Sequence, residues 1–198
     1  MTKTTTLRTI SLAILISSSL YADKVTDQIQ TAMESYENKE YKLAIDDLKF
    51  AIAQIEKLDS EENKKLLPAP LEGWTVKAGD SSTQAAMSMM GGGTSIQGIY
   101  TRGSEQVDIS IIANSPMLAM VGMMINNPTL LATDPNTEPF RYKRIKGVKK
   151  KEGGTTEITL ILAGQIMIRL TGENLKDDAV LEQYLDAMDM KKLKMSLL

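Results

Sequence analysis

Residues 94–113 read TSIQGIYTRGSEQVDISIIA. Thr94 to Tyr100 and Gln106 to Ala113 alternate between apolar and polar side chains, and Arg102-Gly103-Ser104 supplies a turn between them. In the second run Val107, Ile109 and Ile111 point one way, and Asp108, Ser110 and Ile112 the other. This stretch predicts an antiparallel strand pair with one buried face. Downstream, Tyr142 to Lys146, Val148 to Lys151, Glu157 to Leu162 and Gln165 to Leu170 read as further strands. Gly147, Gly153-Gly154 and Ala163-Gly164 separate them, which predicts an antiparallel meander. Asp177 to Met190 then repeats Ala179, Leu181, Tyr184, Leu185 and Met188 at helical spacing, with Asp177 or Asp178 as the cap. Strands followed by one amphipathic helix predict an α+β class: an antiparallel sheet domain over 66–198 with a C-terminal helix on one face.

Upstream the period changes from two to about 3.6. Val25, Ile29, Ala32, Met33 and Tyr36 recur on a helix. After Glu37-Asn38-Lys39-Glu40, a second stripe runs through Tyr41, Ala44, Ile45, Leu48, Ala51, Ile52 and Ile55. The short break predicts an antiparallel helical hairpin over 23–60. Ser60 to Lys65 is charged and reads as a linker or a fraying helix end. Leu66-Leu67-Pro68-Ala69-Pro70-Leu71-Glu72-Gly73-Trp74 follows. Its prolines impose extended backbone, and Trp74, the only Trp in the chain, is expected to anchor the core.

Residues 1–22 have the three-part pattern of a secretory signal. Lys3 and Arg8 open it, Ile10 to Ile16 form a short apolar run, and Ala22 offers a small residue for cleavage. The run is too short for a spanning helix, which needs roughly twenty apolar residues. The expected location is therefore the periplasm, with an uncleaved anchor as the alternative.

The chain has 23 basic and 25 acidic residues, and loss of 1–22 would remove only bases. That balance argues against general nucleic-acid binding, which rests on phosphate neutralisation. With neither Cys nor His, thiol nucleophiles, His-dependent triads and ordinary zinc sites are excluded within this chain. No catalytic, cofactor or metal residues are expected.

Methionine is the compositional oddity. Met87, Met89 and Met90 precede Gly91-Gly92-Gly93, which lacks the Gly-Lys-Ser/Thr of a phosphate loop. Met117, Met120, Met123 and Met124 lie in SPMLAMVGMMI (115–125), a short helix apolar on every side. Ser115 can cap it, and Pro116 suits its first turn. Two readings compete for it: burial with Met filling gaps, or an interaction surface. Thioether coordination of Cu(I) is a remote third. Among the basic residues of 141–151, Arg144 and Lys146 are expected to lie beside that surface, where apolar and basic contacts would suit a membrane interface. Asp134-Pro135-Asn136-Thr137-Glu138 lacks the spacing of a helix-loop-helix calcium loop.

These residues carry three resemblances. L-P-x-P-L-x-G-W, the strand ending S-I-I-A-N-S-P and the terminal helix resemble an uncharacterised family of Gram-negative secreted or periplasmic proteins, which implies no activity. Ala32, Tyr36, N-K-E-Y, Ala44, Leu48 and Ala51 resemble a single tetratricopeptide unit, in which small alanines let two helices approach. The order of strands and helix loosely resembles the PsbP-type fold. The expected function is a secreted, non-enzymatic binding or accessory protein of the bacterial envelope. Its partner would be an envelope protein or an apolar ligand, with a membrane surface as a further candidate, met by the Met-rich helix. The alternative is a structural or assembly subunit docking through the hairpin.

Overall fold

The computed structural model describes residues 13–78, 92–131 and 133–198. Two compact units divide the chain, one as far as Glu61 and one from Glu62 to Leu198.

The first unit is a helical hairpin. Helix α1 spans Ala13–Glu37 and α2 spans Tyr41–Lys64. Lys39 turns the chain with φ 63°, and the Glu40 N–H closes on the Ser35 carbonyl at 2.9 Å. Ala32 and Ser35 of α1 are buried with Ala44 and Ala51 of α2. Small side chains at the seam allow close approach. Gln28 Nε2 donates to Asp47 across it at 2.6 Å. The charged stretch 60–65 is helix as far as Lys64 rather than linker. Glu62 and Lys65 pair one turn apart at 2.6 Å, and the helix stops before Pro68.

The second unit is a seven-stranded, wholly antiparallel sheet. Its strands are β1 Thr75–Ala78, β2 Thr94–Arg102, β3 Glu105–Ala113, β4 Thr137–Tyr142, β5 Ile145–Glu152, β6 Thr155–Leu162 and β7 Ile166–Glu173. The α+β class is as expected. The β2–β3 hairpin closes on Gly103-Ser104, with Gly103 at φ 62° and Arg102 paired with Glu105. Along β3, buried and half-buried residues alternate strictly, with Val107, Ile109 and Ile111 fully buried.

The strand order is β1-β2-β3-β7-β6-β5-β4, so the sheet is not one meander. After β3 the chain crosses to the far edge through two short helices, α3 Leu118–Asn126 and α4 Pro128–Leu131. It then returns strand by strand until β7 pairs with β3.

Two expected boundaries move. The β4–β5 turn falls at Lys143-Arg144, with Lys143 at φ 53°, and Gly147 lies inside β5 opposite Leu160. Strand β4 also carries Pro139, which is tolerated because β4 is the edge strand.

The C-terminal segment forms two helices where one was expected: α5 Ala179–Ala187 and α6 Met190–Leu197. Asp189 breaks the run and caps α6, accepting from the Lys192 N–H at 2.9 Å. Asp177 accepts from the Ala179 N–H at 2.9 Å at the start of α5. Both helices cover one sheet face. Val180, Leu181, Tyr184, Leu185, Leu193 and Leu197 share a core with Ile109, Ile111, Ile158, Leu160, Ile168 and Leu170. Trp74 joins that core edge-on to Tyr184, ring centroids 5.7 Å apart. It is a packing residue, as its sequence context suggested.

Three aspartates tie the β4–β5 edge to its surroundings. The Lys151 ammonium beside Asp178 lowers that carboxyl, with the Thr156 hydroxyl assisting. The Tyr142 hydroxyl, donating at 2.6 Å, and then Lys143 lower Asp186. The Asn136 N–H and then the Thr137 hydroxyl lower Asp134. A carboxyl lowered by folding stabilises the fold above its unfolded value, near 3.9, and the contribution is lost as pH falls through the folded value. Stability is therefore expected to hold down to about pH 5 and to fall below about pH 4. Urea midpoints at pH 7 and pH 3 measure this. Asp178→Asn should shrink the difference, and an unchanged acid slope would remove the Lys151–Asp178 pair as a contributor.

Candidate interaction surface

Helix α3 packs on the sheet face opposite α5 and α6. Residues 148 and 161 lie on that face by register, and Val121 and Ile125 pack with Val148, Ile161 and Leu131 as a second, small core. Ser115, buried just past β3, accepts from the Met117 N–H at 3.4 Å in the turn before the helix. The N-cap position falls on Met117 without a side-chain cap, so neither Ser115 nor Pro116 takes its expected place in the helix start. The aliphatic residues Leu118, Val121 and Ile125 recur at i, i+3 and i+7 and form the inward stripe.

The methionines form the outward one. Met117, Met120, Met123 and Met124 are all exposed, Met120 by 68% and Met123 by 67%. The burial reading of this helix therefore applies to Leu118, Val121 and Ile125 and not to the methionines. This helix, apolar all round, has one face on its own sheet and one that no described residue covers. Unbranched thioether side chains can repack against differently shaped apolar partners.

Lys146 stands at the C-terminal end of this helix, where the carbonyl ends carry partial negative charge. Its ammonium donates to Asn126 Oδ1 at 3.1 Å, and Asn126 Nδ2 donates to the Gly122 carbonyl at 2.8 Å. Arg141 pairs opposite Lys146 on the same sheet face. Arg144 is exposed in the β4–β5 turn. The fold thus brings four methionines and Lys146 together. Met87, Met89 and Met90 lie outside the described residues.

The rest of the basic run is internally neutralised. Lys143 pairs with Asp186 at 3.3 Å, Lys150 with Glu152 at 2.8 Å and Asp134 at 3.4 Å, and Lys149 lies 3.9 Å from Glu182. These lysines bind the sheet edge to its own acids and leave little field for an external anion.

The largest buried tyrosines are packing groups. Burial pushes Tyr184 up to about 12, and Tyr100 higher still. The Tyr100 hydroxyl donates to the Pro68 carbonyl at 2.7 Å, tying the proline segment to β2. A cleft of about 230 Å³ is lined by residues 135–138 with Lys149 and Lys151. Its cations already face Glu182 and Asp178. Among the described residues no cluster of three acids is placed to hold a metal ion, and no helix is long and apolar enough to cross a membrane.

The hairpin holds a second apolar surface that residue pattern alone did not separate. Its helical stripe was legible, but the stripe is two stripes. Ala44 and Ala51 face inward, while Tyr41, Ile45, Leu48, Ile52 and Ile55 are exposed. The signal was there in the spacing: the alanines recur at seven, the large residues at four, three, four and three.

No protein-family model matches this chain, and no curated protein or solved structure is significantly similar to it.

Proposed function

We propose that this chain is a secreted, non-enzymatic binding or accessory protein of the bacterial envelope that engages an apolar partner through helix α3. The observation that carries the reading is the exposed row Met117, Met120, Met123 and Met124 on a helix whose aliphatic face is already buried. Among the described residues nothing of its own unit covers this row. Lys146 beside it supplies a cationic rim. The signal-like residues 1–22 support the location, because an apolar partner row in the periplasm meets envelope proteins and membrane surfaces.

The test is in-cell crosslinking of the periplasmic chain, comparing the native form with a Met120→Lys, Met123→Lys variant. Both positions are exposed, so the variant should keep its fold within about 0.5 kcal/mol. One specific crosslinked partner should disappear. Unchanged crosslinking by the folded variant overturns the Met row as the surface. Retention of the chain in the cytoplasm overturns the location.

A second reading, an assembly subunit docking through the hairpin, is favoured by the exposed large residues of α1 and α2.

A further inference from the structure

We propose that the hairpin's exposed face is a homotypic interface: two copies of this chain join through it into a four-helix assembly. This rests on the hairpin being a docking element and not on the methionine row.

The face is continuous over two helices. On α2 it comprises Tyr41, Ile45, Leu48, Ile52 and Ile55, and on α1 Ile29, Met33 and Tyr36, each between 37% and 66% exposed. The two stripes meet at the closed end of the hairpin, where the Tyr36 and Tyr41 rings lie 5.8 Å apart. Both follow the four-three spacing of a coiled-coil seam, in which each large side chain inserts between four residues of a facing helix. That spacing selects helices as the partner, because a strand or a flat surface offers no matching holes.

Within each helix the neighbouring seam position is small. Ala32 of α1 and Ala44 and Ala51 of α2 precede Met33, Ile45 and Ile52 and turn inward. The hairpin thus uses alanines to close on itself and keeps its large residues for the outside. On the free flank both signs occur, Glu37 and Glu56 with Lys42 and Lys49. No large single-sign field opposes the approach of a second copy.

The area argues for a copy of the same face. Eight large side chains, each between 37% and 66% exposed on one face, offer an area of the order of the roughly 800 Å² per partner that a standard stable interface buries. A twofold axis would bury the same patch on both copies and close the assembly at two, with the layout of an ordinary four-helix bundle.

The experiment uses the full secreted chain at micromolar concentrations in light scattering after size exclusion. The native chain should elute at twice the monomer mass. Ile45→Glu with Ile52→Glu should weaken the dimer by ~100-fold or more and leave a monomer with unchanged Trp74 emission. A second measurement needs no disruption of the face. The chain lacks Cys, so Ala53→Cys, an exposed position beside the seam, takes a single spin label. Dipolar coupling between labels on two copies is expected, and it should vanish when the two glutamates are added. A native chain that is monomeric and shows no coupling overturns the proposal. So does a dimer that survives both glutamates. If the native chain is monomeric yet the glutamate variant loses an envelope partner, docking through the hairpin stands and the homotypic interface falls.

Discussion

Trp74→Ala is expected to destabilise the sheet unit by about 3–5 kcal/mol, the range for emptying a large buried aromatic site. The ring is 5% exposed and sits between the proline segment and α5. One side meets the Tyr184 ring edge-on, and Tyr184 stacks obliquely on Tyr100 at 4.7 Å. The other carries the Arg102 guanidinium, 4.8 Å from the ring centroid. Arg102 is itself held by Glu105 at 3.0 Å across the β2–β3 turn, and Glu105 also accepts from the Lys176 N–H at 3.0 Å. Removing the indole therefore opens a cavity and leaves a guanidinium without its π face. Among the described residues the indole N–H has no hydrogen-bond partner, so Trp74→Phe loses no bond, leaves a smaller cavity and should cost clearly less than Trp74→Ala. Urea unfolding followed by circular dichroism measures both. A loss below about 1 kcal/mol for Trp74→Ala would mean that the site collapses freely and the ring does not anchor the core.

Trp74 was legible because its role is local. Two prolines and a glycine deliver a large apolar residue to the start of a sheet, and burial is the ordinary outcome. The β2–β3 hairpin was legible for the same reason, since period-two alternation on both sides of Gly103-Ser104 leaves one register. The crossover after β3 was not. Nothing in residues 114–136 distinguishes a return beside β3 from a passage to the far edge, because both place β4 antiparallel to its neighbour. The choice is made by α3, which needs Val148 and Ile161 as its floor. Gly147 misled for a physical reason. A glycine between two short strand-like runs reads as a turn, but here it answers to close backbone approach, and the actual turn uses Lys143 in a left-handed conformation.

The interaction surface was half legible. That helix α3 lacks a polar face follows from its composition, but which side meets the sheet depends on a strand more than twenty residues away. The separation of aliphatic residues inward from methionines outward is a tertiary outcome, consistent with branched side chains packing a fixed floor and Met remaining adaptable. In the hairpin the two stripes merge into one when apolar residues are taken without regard to size. Size decides the matter, since only alanine and serine fit a close helix pair.

Gly147→Val is expected to cost about 3 kcal/mol or more, the upper range for forcing atoms into a packed site, and Gly147→Ala somewhat less. Gly147 lies opposite Leu160 on one side and Phe140 on the other. A Cβ placed there runs into the Thr159 carbonyl oxygen and the Leu160 side chain. The carbonyl belongs to β6 and cannot withdraw without opening the β5–β6 ladder. Gly103→Ala is the control. Nothing lies within 4 Å of its added carbon, so only the left-handed backbone costs, about 1 kcal/mol. The consequence of Gly147→Val should extend beyond stability. Its neighbours Lys146 and Val148 both hold the C-terminal end of α3, through Asn126 and through Ile125. Shifting β5 should therefore loosen residues 118–126. Amide exchange there is expected to quicken at least tenfold in Gly147→Val, equivalent to about 1.4 kcal/mol of local opening. Gly103→Ala should leave it unchanged. If exchange in α3 stays at the native rate while the sheet is weakened, the methionine helix does not depend on β5 for its seat.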